Sequence, residues 1–244
     1  MIRLGLLSFS DGRERVHRSL APDITAHQSR IQRMLEETGE IEVVPGQEIV
    51  HSGETARCEA RRLAALRLDG VILNLPVFSF PNYCVIATQF VPGPYLLLGP
   101  QDARYPGLGG LLAAAGALTQ MGVTHQRLWA DLNDERVPGQ ILTFARAAAA
   151  VARLRGQVYG LIGGRSIGMV TGAAPAELWQ RLFGVDVDHV DESEIVRLAG
   201  QVPSNEVEVG RSWLEKHGAG IVFDGRQLTP EKLDLELRCY VALK

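Results

Sequence analysis

The chain has 244 residues, 46% of them hydrophobic and 22% charged, with a formal net charge of -3. That balance belongs to a soluble globular protein of one large domain or two ordinary ones. It leaves no electrostatic case for nucleic acid or an anionic membrane as partner, and no basic run is longer than Arg61-Arg62.

Ile2–Ser8 is a short apolar run and reads as a buried strand. A polar loop, Ser10-Asp11-Gly12-Arg13-Glu14, leads into a helix that runs to Glu37 and closes at Thr38-Gly39. Ile41–Val44 is a second strand and Gly53–Leu68 a second helix, with Ala, Arg and Leu at helical spacing. Val71–Leu75 is a continuous aliphatic run, the mark of a strand buried on both faces. The loop Pro76–Pro81 follows, then a helix at Tyr83–Phe90 and a strand at Tyr95–Leu98. A helix at Gly107–Met121, a strand at Arg127–Ala130 and a helix at Asp134–Leu154 complete the first half. Strand and helix repeated five times predict a doubly wound parallel sheet, a flavodoxin- or Rossmann-like α/β domain over residues 1–155.

At Gly156 the pattern restarts, which defines a second domain over residues 156–244. Val158–Ile162 and Val185–Val190 are its strands, with a helix around Pro175–Phe183 between them. Asp191 reads as an N-cap with Glu194 three residues on, a variant capping box. Further helices are expected at about 192–199 and 203–217, and a last one from Thr229-Pro230. Two strands for so many helices make an unstable sheet, so the second α/β domain is expected to be incomplete, cut before a third strand; the alternative is a small α+β cap that is complete as it stands. At the other end, Ile2-Arg3-Leu4-Gly5-Leu6-Leu7 has no basic leader or cleavage site, so no signal peptide is expected. Leu108–Met121 is too short to span a bilayer.

The three cysteines, Cys58, Cys84 and Cys239, lie far apart and read as reduced, small buried hydrophobes. No nucleophile elbow, Walker loop or His-Glu-x-x-His helix is present, and the six histidines stand singly. His189, beside Asp188 and Asp191, reads as an exposed strand end. The glycine turn Gly160 to Gly168 follows a strand but fits the dinucleotide fingerprint poorly, so an oxidoreductase has weak support. Two loops lie where open α/β sheets bind ligands, at the carboxyl ends of predicted strands. In Ser8–Glu14, Arg13 is suited to paired hydrogen bonds with ligand oxygens or to a surface ion pair with Asp11 or Glu14. Pro76–Tyr83 carries three aromatics, which pack on their own domain, cover a sugar ring or meet another subunit.

Several segments, in order, resemble the L-fucose/L-arabinose isomerase family, particularly its shorter bacterial members. They are Ser8–Glu14, Val71–Phe78, Gly107–Gly122 with Gly-Ala-Leu-Thr-Gln at 116–120, and Tyr159–Thr171. Trp179, Phe183–Asp191 and Glu194-Ile195 continue the series. The resemblance implies the N-terminal part of a sugar ketol-isomerase, an enzyme that interconverts an aldose and a ketose. It implies a divalent metal, usually manganese, whose acidic and histidine ligands lie beyond this chain, leaving the chain inactive by itself. It also implies a cytoplasmic homo-oligomer, a hexamer in the family, in which this region helps to close the sugar pocket. Arg13 and Phe78 match the family's substrate-enclosing arginine and aromatic, though some relatives carry tryptophan at the latter position. Pro175 stands where an acidic residue is expected, at a helix entry that suits proline. The alternative is a non-catalytic sugar-binding or assembly module.

Overall fold

The computed structural model describes residues 1–102, 104–164, 168–169, 171–173, 175–218 and 220–244. The chain divides into two compact units, Met1–Arg155 and Gly156–Lys244.

In the first unit the strands are β1 (Ile2–Ser8), β2 (Ile41–Pro45), β3 (Gly70–Asn74), β4 (Tyr95–Pro100) and β5 (His125–Ala130). The helices are α1 (Glu14–Glu36), α2 (Gly53–Ala64), α3 (Pro81–Phe90), α4 (Gly107–Gln120) and α5 (Val137–Leu154). All strand pairs are parallel, in the order β2-β1-β3-β4-β5. This is the predicted doubly wound sheet, and its order reverses between β1 and β3.

Successive side chains of a strand point to opposite faces, so the long apolar runs feed two cores. Leu4 and Leu6 of β1, Ile72 of β3 and Leu96 and Leu98 of β4 join Ile31 and Leu35 of α1 and Ile141 and Phe144 of α5. On the other face Leu7, Leu73 and Leu97 pack with Leu63 of α2, Cys84 of α3 and Leu111 of α4. Each such leucine, fully withdrawn from water, contributes about 1.5–3 kcal/mol. β5 is paired only with β4 among the described residues, and its mostly exposed His125-Gln126-Arg127 stretch suits an edge strand.

Several element ends differ from the sequence reading, each for a tertiary reason. α2 stops at Ala64, four residues early, because the following segment packs back on β1. There the Asp69 carboxylate accepts from the Arg3 amide at 2.8 Å, and Leu68 lies over Gly5. α2 starts as a capping box that escaped the sequence reading: Ser52 Oγ accepts from the Thr55 amide and Thr55 Oγ1 from the Ser52 amide. α5 begins at Val137 because Asp134 takes the Arg136 amide and guanidinium in a tight turn instead of entering the helix. α1 continues through Pro22, whose missing N–H falls on an exposed turn. Of the cysteines, only Cys84 is buried; Cys58 is exposed because it points away from the buried α2 positions Thr55, Ala56, Glu59 and Ala60.

The second unit pairs β6 (Val158–Ile162) with β7 (Asp186–Val190) in a two-stranded parallel sheet. Its helices are α6 (Ala176–Phe183), α7 (Glu192–Ala199), α8 (Ser204–His217) and α9 (Pro230–Ala242). Pro175 is the residue before α6, and Thr229 caps α9 by accepting from the Lys232 amide. Asp191 caps α7 by accepting from the Ser193 amide at 2.8 Å. The expected reciprocal bond from Glu194 does not form, because its carboxylate pairs with Arg197. A small core of Val207, Leu233 and Leu237 joins α8 to α9. Part of the glycine turn, Arg165 to Ile167, lies outside the described residues.

Candidate functional site

β1 leaves the sheet through Phe9 and Ser10, both buried and tied by backbone bonds to Asn74 at the end of the neighbouring β3 and to Val50 beyond β2. Asp11 is therefore held at the rim, only 3% exposed. Its carboxylate accepts three bonds from Arg13: the amide at 2.9 Å, Nε at 2.8 Å and Nη2 at 2.6 Å. These bonds hold the Asp11 carboxyl below its ordinary range and raise the Arg13 guanidinium, each mainly through the hydrogen bonds they share. Arg13 keeps 69% of its side chain in solvent, so one edge of the guanidinium is anchored while the rest faces outward. Of the two carboxylates open to it, the buried Asp11 is the partner; Glu14 pairs with Arg18.

The aromatic loop follows β3. Phe78 is half-buried and meets Phe80 edge to face at 5.8 Å, and Phe80 meets Tyr83 in the same way at 6.1 Å. Such geometry places the positive ring edge on the negative face of the next ring. The two loops meet at Gly12. A Cβ there would collide with the Tyr83 hydroxyl and lie 3.1 Å from the Phe80 ring. Burial first, and the Asp11 charge second, push the Tyr83 hydroxyl up from its ordinary pKa. Arg13 thus sits one residue from the junction and Phe78 at the far end of the aromatic row.

The carboxyl ends of β1 and β3 also carry a set of buried polar residues. Ser8, Ser10, Asn74 and Ser79 are fully buried, and Asn74 Nδ2 donates to Ser8 Oγ at 2.9 Å. Ser10 Oγ, Asn74 Oδ1 and Ser79 Oγ make no hydrogen bond among the described residues. Buried polar atoms left so are costly, by about 1–3 kcal/mol each, and they cluster in sequence at the carboxyl ends of β1 and β3.

A second concavity of about 380 Å³ opens on the same edge of the sheet, between α1 and the residues after β3, β4 and β5. Asp23, Ala26, His27 and Arg30 form its helical wall. Sequence reasoning passed over it because His27 stands alone. The recoverable signal was the 23, 26, 27, 30 spacing, one face of a helix, opposite parallel-strand ends. Among the described residues no three His, Cys, Asp or Glu side chains converge as a metal site would require, and no helix is long and apolar enough to cross a membrane.

A profile described as "L-fucose isomerase, first N-terminal domain" matches residues 1–156. An L-fucose isomerase of Klebsiella pneumoniae is 29% identical over 179 residues, covering 69% of this chain and 30% of that protein. One from Bacteroides fragilis is 30% identical over 177 residues, covering 67% and 29%. One from Citrobacter koseri is 28% identical over 179 residues, covering 69% and 30%. The match thus spans about 30% of the length of these relatives.

Proposed function

Because the chain belongs to the L-fucose isomerase family, we propose that it acts as the N-terminal part of a cytoplasmic aldose–ketose isomerase. Its task is to close the sugar pocket and to make subunit contacts in a homo-oligomer, a hexamer by family resemblance. The meeting of the Arg13 turn and the aromatic row at Gly12 carries this reading. It puts a charged donor and an apolar ring on one rim of a doubly wound sheet, beside the point where strand order reverses.

The chemistry of each group fits a sugar. Arg13, pinned by Asp11 along one edge, offers its remaining N–H groups to ligand hydroxyls without the entropy cost of first being ordered. Phe78, braced by Phe80, offers a ring to the C–H face of the sugar and excludes water from it. Manganese or a similar divalent ion would supply the Lewis acid a ketol isomerisation needs. In this reading the ion's ligands lie elsewhere in the complete enzyme, and the chain's own contribution is binding, orientation and exclusion of water. L-Fucose, D-arabinose and L-arabinose are the candidate substrates.

The test is an isomerase assay over a panel of aldoses, with and without manganese. It compares this chain with the product of its uninterrupted reading frame. Metal-dependent turnover by the longer product alone supports an enclosing role. Turnover by the 244-residue chain itself would place a metal site within it and overturn the reading. Absence of turnover in both would favour the alternative, a sugar-binding or assembly module.

A further inference from the structure

The cavity beside α1 includes neither Arg13 nor Phe78 in its lining, and its chemistry differs from theirs. We propose that it is a separate binding site for a small, neutral polyhydroxy ligand, a sugar or sugar alcohol, seated against His27 and the carboxylates of Asp102 and Asp131. Its volume of about 380 Å³ lies in the range of small-molecule pockets, roughly 300–1,000 Å³. Its floor is made by residues following β3, β4 and β5, the side of a parallel sheet where ligands bind.

His27 supplies the strongest observation. Both ring nitrogens are buried and neither has a hydrogen-bond partner among the described residues. Burial holds the ring neutral, with its pKa pushed down to about 4 and the charge of Arg30 adding to the effect. A neutral imidazole carries one donor and one acceptor, the pairing that a ligand hydroxyl satisfies from either side. Both nitrogens are closed to solvent as the ring stands, so binding requires the ring to turn about χ2, a broad torsion, and bring one nitrogen to the cavity.

The charges of the lining select against an anionic ligand. Arg104 is held by Asp102 and Arg30 by Asn133 at 2.6 Å, while the Tyr105 hydroxyl donates to Asp23. Three carboxylates (Asp23, Asp102 and Asp131) against two guanidiniums leave no surplus positive charge for a phosphate or a carboxylate. What remains is a mixture of acceptors and donors between apolar patches at Val77, Pro100 and Leu132. That mixture suits a molecule with hydroxyls on one side and C–H groups on the other.

The experiment uses the whole chain with ¹⁵N-labelled histidine, titrated separately with L-arabinose, ribitol and inorganic phosphate. The ring resonances of His27 are expected to move saturably at millimolar polyol and not with phosphate. Ala26→Phe, an exposed substitution that fills the mouth, and His27→Phe, whose binding is followed by titration calorimetry because its reporter ring is gone, should each weaken binding by about tenfold or more. Arg13→Ala should leave it unchanged, which separates this site from the rim proposed above. Should His27→Phe fail to fold, Ala26→Phe alone decides. The proposal is overturned by an unmoved His27 signal, by tighter binding of phosphate, or by a response lost in Arg13→Ala but kept in Ala26→Phe.

Discussion

Asp11 and His27 show how burial sorts titratable groups within a few turns of chain. Asp11 is buried yet stays ionised because Arg13 surrounds its carboxylate with donors. His27 has no such partner among the described residues and is neutral instead. The unfolded chain takes up a proton at this histidine near pH 6.5, while the folded chain resists until about pH 4. Its contribution to stability is therefore intact above pH 6.5 and declines as pH falls toward 4, by up to about 3 kcal/mol. Urea midpoints measured across that window should show the decline, and His27→Phe should flatten it relative to the parent. An identical pH profile in the variant would mean that the ring is open to protons in the folded state. The Asp11–Arg13 pair was one of the options open in the sequence, but the burial of Asp11 and the unpartnered burial of His27 were not legible there, because both depend on packing between distant segments.

Among the elements, the long aliphatic strands carry the stability and the short second sheet carries little. Leu73 on β3 is fully buried between helices, whereas Val158 on β6 is 62% exposed. Leu73→Ala is expected to cost about 2–5 kcal/mol, and Val158→Ala to stay within about 0.5 kcal/mol. Denaturant unfolding of the two variants checks the contrast, and equal losses would contradict it. The same strands were the readable part of the sequence, because a run buried on both faces needs no knowledge of its partners. Helix ends were less readable. The early stop of α2 depends on Asp69 meeting Arg3 across 66 positions, and the Ser52–Thr55 box uses a threonine where the usual pattern has a glutamate or glutamine.

For the whole molecule, we read the two compact units as separate domains, 1–155 and 156–244. The first carries the five-stranded sheet and both large cores. Residues 1–155 expressed alone should then unfold in one cooperative transition, with the fluorescence and amide spectrum they show in the full chain. A molten, non-cooperative product would make the second unit part of the same fold. The candidate rim was legible as two loops, since each follows a parallel strand whose end position is predictable. Their meeting at Gly12, between a glycine and a tyrosine 71 positions apart, was not, and neither was the cavity at His27. Packing between distant segments created both. The central claim is that Arg13 helps to enclose a sugar in an isomerase of this family. Its most direct test is the manganese-dependent kcat/KM of the uninterrupted reading frame, parent against Arg13→Ala, on L-fucose and the two arabinoses. A loss of about tenfold or more, equivalent to about 1.4 kcal/mol of transition-state stabilisation, is the predicted result; an unchanged kcat/KM on every sugar the parent converts would contradict it.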